Sequence, residues 1–140
     1  DPGNFDINDC STQRNLNDTG REQARAWKPF LADHGITDAR VFSSQWCRCM
    51  DTATGMDMGK VTEWPSLNSF FRNRGDGPAQ TRQTIALVNE LEDGAPVIMV
   101  SHQVNITGLT GIFPSSNEGA IIALPLSEDP TVLARVSPGR

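Results

Sequence analysis

Apolar residues along the chain follow two alternating patterns, short continuous runs and longer segments with apolar positions three or four residues apart. The run at 96–100 is continuous and rich in β-branched residues, which is typical of a strand buried on both faces of a parallel sheet. Ala24, Trp27 and Leu31 fall on one face of a helix. The predicted strands are 39–43, 61–64, 96–100, 120–124 and 131–136, and the predicted helices are 18–34, 44–56, 78–91 and 103–110. Because strands alternate with helices, the pattern predicts one α/β domain over 1–140 with a largely parallel sheet.

Two side chains stand where such a fold places its ligands. His102 follows the strand at 96–100 directly, and carboxyl ends of parallel strands line the ligand sites of open α/β sheets. A lone histidine there can equally do no more than hydrogen-bond within its loop. Arg48 lies in the first turn of the helix after 39–43, where a cation opposes the helix dipole. We interpret that placement of Arg48 as a sign of an anion site.

Composition narrows the classes of function. The chain has 12 Lys and Arg against 17 Asp and Glu, a net charge of −5, with no basic block. This balance argues against a surface that tracks a nucleic-acid backbone. No apolar run approaches the ~18 residues of a membrane span. The first residues have neither the basic nor the apolar region of a signal peptide, so we expect the bacterial periplasm if a signal was removed and the cytoplasm otherwise.

The three cysteines are Cys10, Cys47 and Cys49. Their spacing lacks the two clean pairs of a structural zinc site, and we predict neither a metal nor a cofactor. A disulfide from Cys10 to either Cys47 or Cys49, with the third thiol free, is compatible with the sequence. Three free thiols are equally compatible with it.

Three blocks of residues follow one another in a recognisable order. The first is the segment 15–24, the second is Ser43-Ser44-x-x-x-Arg48-x-x-x-Thr52-Ala53 after a strand, and the third is Val100-Ser101-His102. Together they resemble the histidine phosphatase (phosphoglycerate mutase-like) superfamily, and in particular a subgroup of small bacterial phosphatases. The resemblance implies a three-layer α/β/α fold in which the strands at 39–43 and 96–100 deliver the second arginine and the second catalytic histidine.

The resemblance also implies an activity. It is hydrolysis of a small phosphomonoester or phosphohistidine through a phosphohistidine intermediate, with Arg48 and His102 as catalytic residues. The partner would be a small phosphorylated substrate or inorganic phosphate. Further substrate-binding positions implied by the same comparison are Thr12, Gln13, Arg14 and Asn105. The alternative is a catalytically inactive domain that binds phosphorylated ligands or a protein partner.

The chain departs from the family pattern at the nucleophile. The family carries its nucleophilic histidine in an Arg-His-Gly or Arg-His-Ala motif at the end of its first, central strand, and this chain has no such motif. Residues 1–16 resemble the segment that follows that motif, so we expect the chain to begin just downstream of its first strand. We therefore expect a gap in the sheet between 39–43 and 96–100, or a borrowed strand.

A second departure concerns the proton donor. Leu67-Asn68-Ser69 stands near the place where one branch of the family has a glutamate, and Gln103 stands where the other has an aspartate. A glutamine side chain can donate a hydrogen bond but cannot protonate a leaving oxygen. Glu118 is the candidate that we place in the substrate pocket as a replacement. An ordinary surface position before a strand is the competing interpretation of Glu118.

Overall fold

The structure is a computed structural model that describes residues 3–138. Its central element is a parallel sheet of three strands. β1 (Arg40–Ser43) lies between β2 (Val61–Glu63) and β3 (Val97–Val100). The register pairs Ser43, the last residue of β1, with the last residue of each neighbour. The carboxyl ends of all three strands therefore meet at one edge of the sheet.

The helices α1 (Asp18–Ala32), α2 (Cys47–Met56), α3 (Gly77–Glu90) and α4 (Gln103–Thr110) complete the main fold. The chain runs from β1 through α2 to β2, and then from β2 through α3 to β3 on the other side of β1. Because such parallel connections are right-handed, the reversal of direction places α2 and α3 on opposite faces of the sheet. α1 packs against α2, and α4 packs against α3. The predicted α/β fold with a mostly parallel sheet is confirmed.

Local sequence explains the helix ends. The Asn17 side chain accepts a hydrogen bond from the Gly20 amide and caps α1. Pro29 lies inside α1 without ending it, and the helix continues for three more residues to Ala32. α2 begins at Cys47, three residues after the predicted start at 44, so Arg48 occupies its first turn. In the described part of the chain, no helix is both long and apolar enough to cross a membrane.

The main core lies between the sheet and the layer formed by α1 and α2. It contains Val41 from β1 and Ala53 and Met56 from α2, all buried. Partly buried side chains from α1, β2 and β3 close around these residues. On the other face of β1, Phe42 stacks on Trp64 with ring centroids 3.8 Å apart. The sheet is therefore fixed from both sides, which holds its carboxyl edge in place.

The final strands form a separate unit. β4 (Gly119–Ile122) pairs antiparallel with β5 (Val132–Val136) in a two-stranded sheet. Both strands lie close to the predicted segments. Ile121 and Leu133 are exposed on this hairpin.

The expectation of a gap or a borrowed strand between the strands at 39–43 and 96–100 is wrong. β1 and β3 are directly hydrogen-bonded over four residue pairs, so their backbone groups satisfy one another. Within residues 3–138, the outer edges of β2 and β3 are the ones that no strand pairs with. The residues of β3 are only half-buried, whereas Val41, Phe42 and Ser43 of β1 are buried. β3 has the apolar sequence that is typical of a central strand, but it lies at an edge of this sheet.

Candidate active site

Arg48 and His102 meet at the carboxyl edge of the sheet. Arg48 follows β1 on the first turn of α2, and His102 follows β3 as the residue that precedes α4. Because β1 and β3 are parallel neighbours, both side chains leave the sheet at the same edge. Nη2 of Arg48 lies 3.4 Å from Nδ1 of His102. The structure therefore brings together the two residues that the sequence selects.

His102 is held on its other side by residues between β1 and α2. Oγ of Ser44 lies 2.8 Å from Nε2 of His102, and Sγ of Cys49 lies 3.6 Å from the same nitrogen. The Trp46 ring meets the imidazole edge-on, with centroids 5.0 Å apart. Only 8% of the surface of His102 is exposed.

Burial controls the charge of the site. Desolvation, and secondly the positive charge of Arg48, lower the pKa of His102 to about 3. His102 is therefore neutral at pH 7 and offers one donor and one acceptor nitrogen. Burial also raises the pKa of the Cys49 thiol to about 11, although a hydrogen bond with Ser44 and the charge of Arg48 oppose the rise. Cys49 is consequently a thiol at neutral pH and a poor nucleophile.

Asn68 connects the end of the β2 segment to this cluster. Its Oδ1 accepts hydrogen bonds from the amide of Gln45 at 2.8 Å and from Oγ of Ser44 at 3.3 Å. Its backbone carbonyl accepts a bond of 2.9 Å from Nδ2 of Asn105. Sequence analysis gave no function to Asn68 or Ser44. The only available signal was that both lie shortly after predicted strands.

The predicted pocket residues near the amino terminus organise a loop beside α2. Oγ1 of Thr12 bonds to the backbone of Asp6 and Asp9 and folds the loop on itself. Gln13 is buried, and its Oε1 accepts a 2.9 Å hydrogen bond from the Cys47 amide, so it caps the start of α2. Arg14 is exposed. Substrate binding by these three residues stays a prediction.

Two further predicted residues occupy different surroundings. Asn105 lies in the first turn of α4, three residues after His102, and its Oδ1 is a buried acceptor without a partner among the described residues. Glu118 precedes β4, and its carboxylate pairs with Arg135 at 2.7 Å. Glu118 thus belongs to the β4–β5 hairpin, whereas β1, α2 and β3 position Arg48. Its use as a proton donor stays a prediction.

The amino-terminal loop is fastened to α2 by a disulfide. Cys10 and Cys47 are joined at an S–S distance of 2.04 Å with Cα atoms 5.7 Å apart, and Cys49 is free. Phe5 of the loop also stacks on Trp46, with ring centroids 4.8 Å apart. Of the alternatives left open by the sequence, the structure contains the bond to Cys47. The loop, α2 and the surroundings of His102 form one connected unit.

The cluster has the chemistry of an oxyanion site. An arginine fork can give two hydrogen bonds to a phosphate and keeps its charge at every ordinary pH. A histidine beside it adds a donor to the same oxygens when the nitrogen that faces them carries a proton. In the described part of the chain, no three His, Cys, Asp or Glu side chains gather where they could hold a metal ion.

Solved structures with a similar fold include a protein histidine phosphatase. The protein histidine phosphatase SixA complexed with tungstate matches with a TM-score of 0.65 and 23% identity over 89% of this chain and 85% of that one. The product of open reading frame Rv3214 from Mycobacterium tuberculosis matches with a TM-score of 0.63 and 17% identity, over 90% and 86% of the two chains. The candidate phosphohistidine phosphatase SixA from Agrobacterium tumefaciens matches with a TM-score of 0.61 and 16% identity, over 99% of this chain and 90% of that one. At these identities the matches show the fold.

Sequence comparison with protein families supplies the assignment. No curated protein is significantly similar to the chain in sequence. The model of the histidine phosphatase superfamily (branch 1) matches residues 10–80, which is half of the chain and includes Arg48. His102 lies outside the matched segment, and the parallel pairing of β3 with β1 brings it to Arg48. This chain belongs to the histidine phosphatase superfamily.

Proposed function

We propose that the domain acts as a phosphatase on a small phosphomonoester or a phosphohistidine, through a phosphohistidine of its own. The observation that carries the proposal is the 3.4 Å approach of Arg48 to His102 at the ends of adjacent parallel strands. In the first step a histidine nitrogen bonds to phosphorus while the bond to the leaving group breaks, and the leaving group takes a proton. Water then attacks the phosphohistidine, releasing phosphate and the histidine. Arg48 and His102 would hold the equatorial oxygens in both steps.

The nucleophile must be a histidine other than the two in this chain. His102 is the second histidine of the site, and His34 is exposed beyond the end of α1 with Nδ1 bonded to the Phe30 carbonyl at 2.9 Å. We propose that a strand pairing with the open edge of β3 supplies the nucleophile. Two features support this: the apolar sequence of β3, which suits a central strand, and the position of His102 directly after β3.

The unpaired acceptor of Asn105 also supports an additional group at this site. A buried acceptor without a donor costs about 1–3 kcal/mol, so a donor is expected to reach Oδ1 in the active form. Asn105 lies one helical turn from His102. A donor on the added strand or on the substrate would satisfy it.

The test is to supply the strand. The chain is extended at its amino terminus by about five apolar residues that end in Arg-His-Gly, and a matched extension ends in Arg-Ala-Gly. We expect the histidine version alone to hydrolyse an aryl phosphate and to form an acid-labile phosphoprotein. Absence of both reactions in a folded histidine version would overturn the proposal.

Binding without catalysis is the second candidate function, because His34 and His102 are the only histidines of the chain and neither is placed as a nucleophile. Isothermal titration of the unextended chain with phosphate or vanadate addresses it. Oxyanion binding together with an inactive histidine extension would favour the binding function. The absence of oxyanion binding to the unextended chain would remove that candidate.

Arg48→Ala should weaken phosphate or vanadate binding by roughly 2–4 kcal/mol, the contribution of one preorganised donor to an oxyanion. Arg48→Lys should restore little of the affinity, because a point charge cannot reproduce the fork of two hydrogen bonds. Isothermal titration measures both effects.

Arg82→Ala is the matched control for that experiment, since it removes the same charge from an exposed position on α3. We expect Arg82→Ala to bind the anion as the wild type does. Equal affinities for wild type and Arg48→Ala would remove Arg48 from the site.

A further inference from the structure

The hydroxyl oxygen of Ser44 has four neighbours, one of which is the thiol of Cys49. The amide of Trp46 donates to this oxygen at 3.1 Å, Nε2 of His102 lies at 2.8 Å, and Oδ1 of Asn68 lies at 3.3 Å. A hydroxyl group has one proton to donate and two lone pairs that accept. The Trp46 amide uses one lone pair, so the proton and the second lone pair of Ser44 are left for its other neighbours. The Cys49 thiol has the Ser101 carbonyl as its own acceptor at 3.7 Å, which leaves the proton and the lone pair to Asn68 and His102.

The orientation of the Asn68 amide is fixed by its neighbours. A backbone N–H can only donate, and the amide of Gln45 lies 2.8 Å from Oδ1 of Asn68. Nδ2 of Asn68 donates to Oε1 of Gln45 at 2.9 Å. The atom that Asn68 turns toward Ser44 is therefore an oxygen, which needs the Ser44 proton.

Arg48 fixes the imidazole from the opposite side. A guanidinium group has only donors, and Nη2 of Arg48 lies 3.4 Å from Nδ1 of His102. Nδ1 must then present its lone pair, and in the neutral ring the proton is on Nε2. Nε2–H of His102 donates to Ser44, and Ser44 donates to Asn68. Every donor in the chain of contacts then has one acceptor.

We propose that Asn68 and Ser44 are positioning residues that keep His102 in its Nε2–H form, so that Nδ1, beside Arg48, is the atom that takes up a proton when an oxyanion binds. The relevance of this arrangement to catalysis rests on the proposed function. The arrangement itself is a property of the free chain.

The change on binding follows from charge. In the free site, Arg48 opposes a second positive charge on His102, and the other ionisable side chain recorded against the imidazole, Cys49, is a neutral thiol. A bound dianion reverses the balance, because an opposite charge nearby favours the protonated ring. Nδ1 then gains a proton from solvent and donates it to an anion oxygen, while Nε2–H stays with Ser44. The site thereby acquires its second donor only when an anion is present.

The test uses long-range proton–nitrogen NMR of the 140-residue chain at pH 7, with tungstate as the dianion. The chain has two histidines, and His34, with Nδ1 against a carbonyl oxygen, serves as the internal reference. We expect His102 to show a protonated Nε2 and a bare Nδ1 in the free chain. Saturation with tungstate should protonate both nitrogens, with uptake of about one proton per ion in calorimetry performed in two buffers.

Variants of Asn68 test whether this residue sets the protonated nitrogen of His102 or only stabilises the fold. In Asn68→Leu, and in the smaller Asn68→Ala, Ser44 loses its acceptor and should donate to Nε2 instead, which shifts His102 toward the Nδ1–H form. Tungstate affinity should fall roughly threefold to tenfold, the scale of one hydrogen bond. Asn68→Asp keeps an acceptor oxygen and should retain the Nε2–H form.

Asn89→Leu is the matched control. The Asn89 side chain makes two hydrogen bonds, both to the backbone of Leu126. Their loss should lower the stability of the chain without changing the His102 signals. An Nδ1–H form in the free wild type would overturn the inference. So would an unchanged form in both Asn68→Leu and Asn68→Ala. Because these readouts need no turnover, an inactive histidine extension with the expected spectra would refute only the proposed function.

Discussion

The free energy of unfolding of this chain is expected to fall by up to about 4–5 kcal/mol as the pH is lowered from 6.5 to 3, because of His102 alone. The folded state holds the pKa of His102 at about 3, whereas the unfolded chain has the ordinary value near 6.5. Between these values the unfolded state binds more protons than the folded state, so acid favours unfolding. Above pH 6.5 both states are neutral at this residue, and its contribution no longer changes.

Urea unfolding at a series of pH values measures this effect, with the variant His102→Asn beside the wild type. Carboxylates also titrate in this range, but their contribution is common to both proteins and cancels in the difference. The variant should be markedly less sensitive to acid. His34→Gln, at an exposed position, should keep the sensitivity of the wild type. Parallel pH profiles for wild type and His102→Asn would show that His102 is not held neutral.

Reduction of the disulfide is expected to destabilise the chain by about 4 kcal/mol. Cys10 and Cys47 are 37 residues apart, and the chain-entropy relation gives this value for a closed loop of that length. For a domain of this size the loss corresponds to a fall in Tm of roughly 10–15 °C. Thermal unfolding of the oxidised chain and of the chain in excess dithiol measures the difference.

Cys10→Ser should match the reduced wild type under both conditions, since it removes the same bond. Cys49→Ala is the control, because Cys49 lies outside the disulfide. It should retain the difference between the oxidised and reduced states. If oxidised and reduced wild type unfold at the same temperature, the disulfide contributes no stability.

The disulfide between Cys10 and Cys47 also affects the candidate active site. The loop it fastens includes Phe5, which stacks on Trp46, and Gln13, which caps α2 one residue before Arg48. Trp46 in turn lies edge-on against His102. The stability of the loop and the placement of Arg48 and His102 are therefore linked through these packing and hydrogen-bond contacts.

Sequence patterns were sufficient for the elements and for the central pair of the site. Local apolar periodicity selects strands and helices, and parallel strands with short connections bring their carboxyl ends to one edge. Arg48 and His102 both follow such strands, so their meeting could be expected without knowledge of the strand order. The position of Arg48 in the first turn of α2 needed only the end of β1 and the start of a helix.

The strand order, the disulfide partner and the polar contacts of His102 were decided by the tertiary structure alone. Strand order depends on backbone pairing between distant segments, and one apolar strand can pair with β1 as readily as another, which is why the expected gap beside β1 was wrong. Cys47 and Cys49 lie at nearly the same distance from Cys10 along the chain, so the sequence cannot choose between them, and only their directions on α2 distinguish them. The contacts of Asn68 and Ser44 with the site could not be predicted from the sequence, because a hydrogen-bond partner is selected by position in space. The sequence thus determined that Arg48 and His102 lie at the same edge of the sheet, and the packed chain determined which polar groups surround His102.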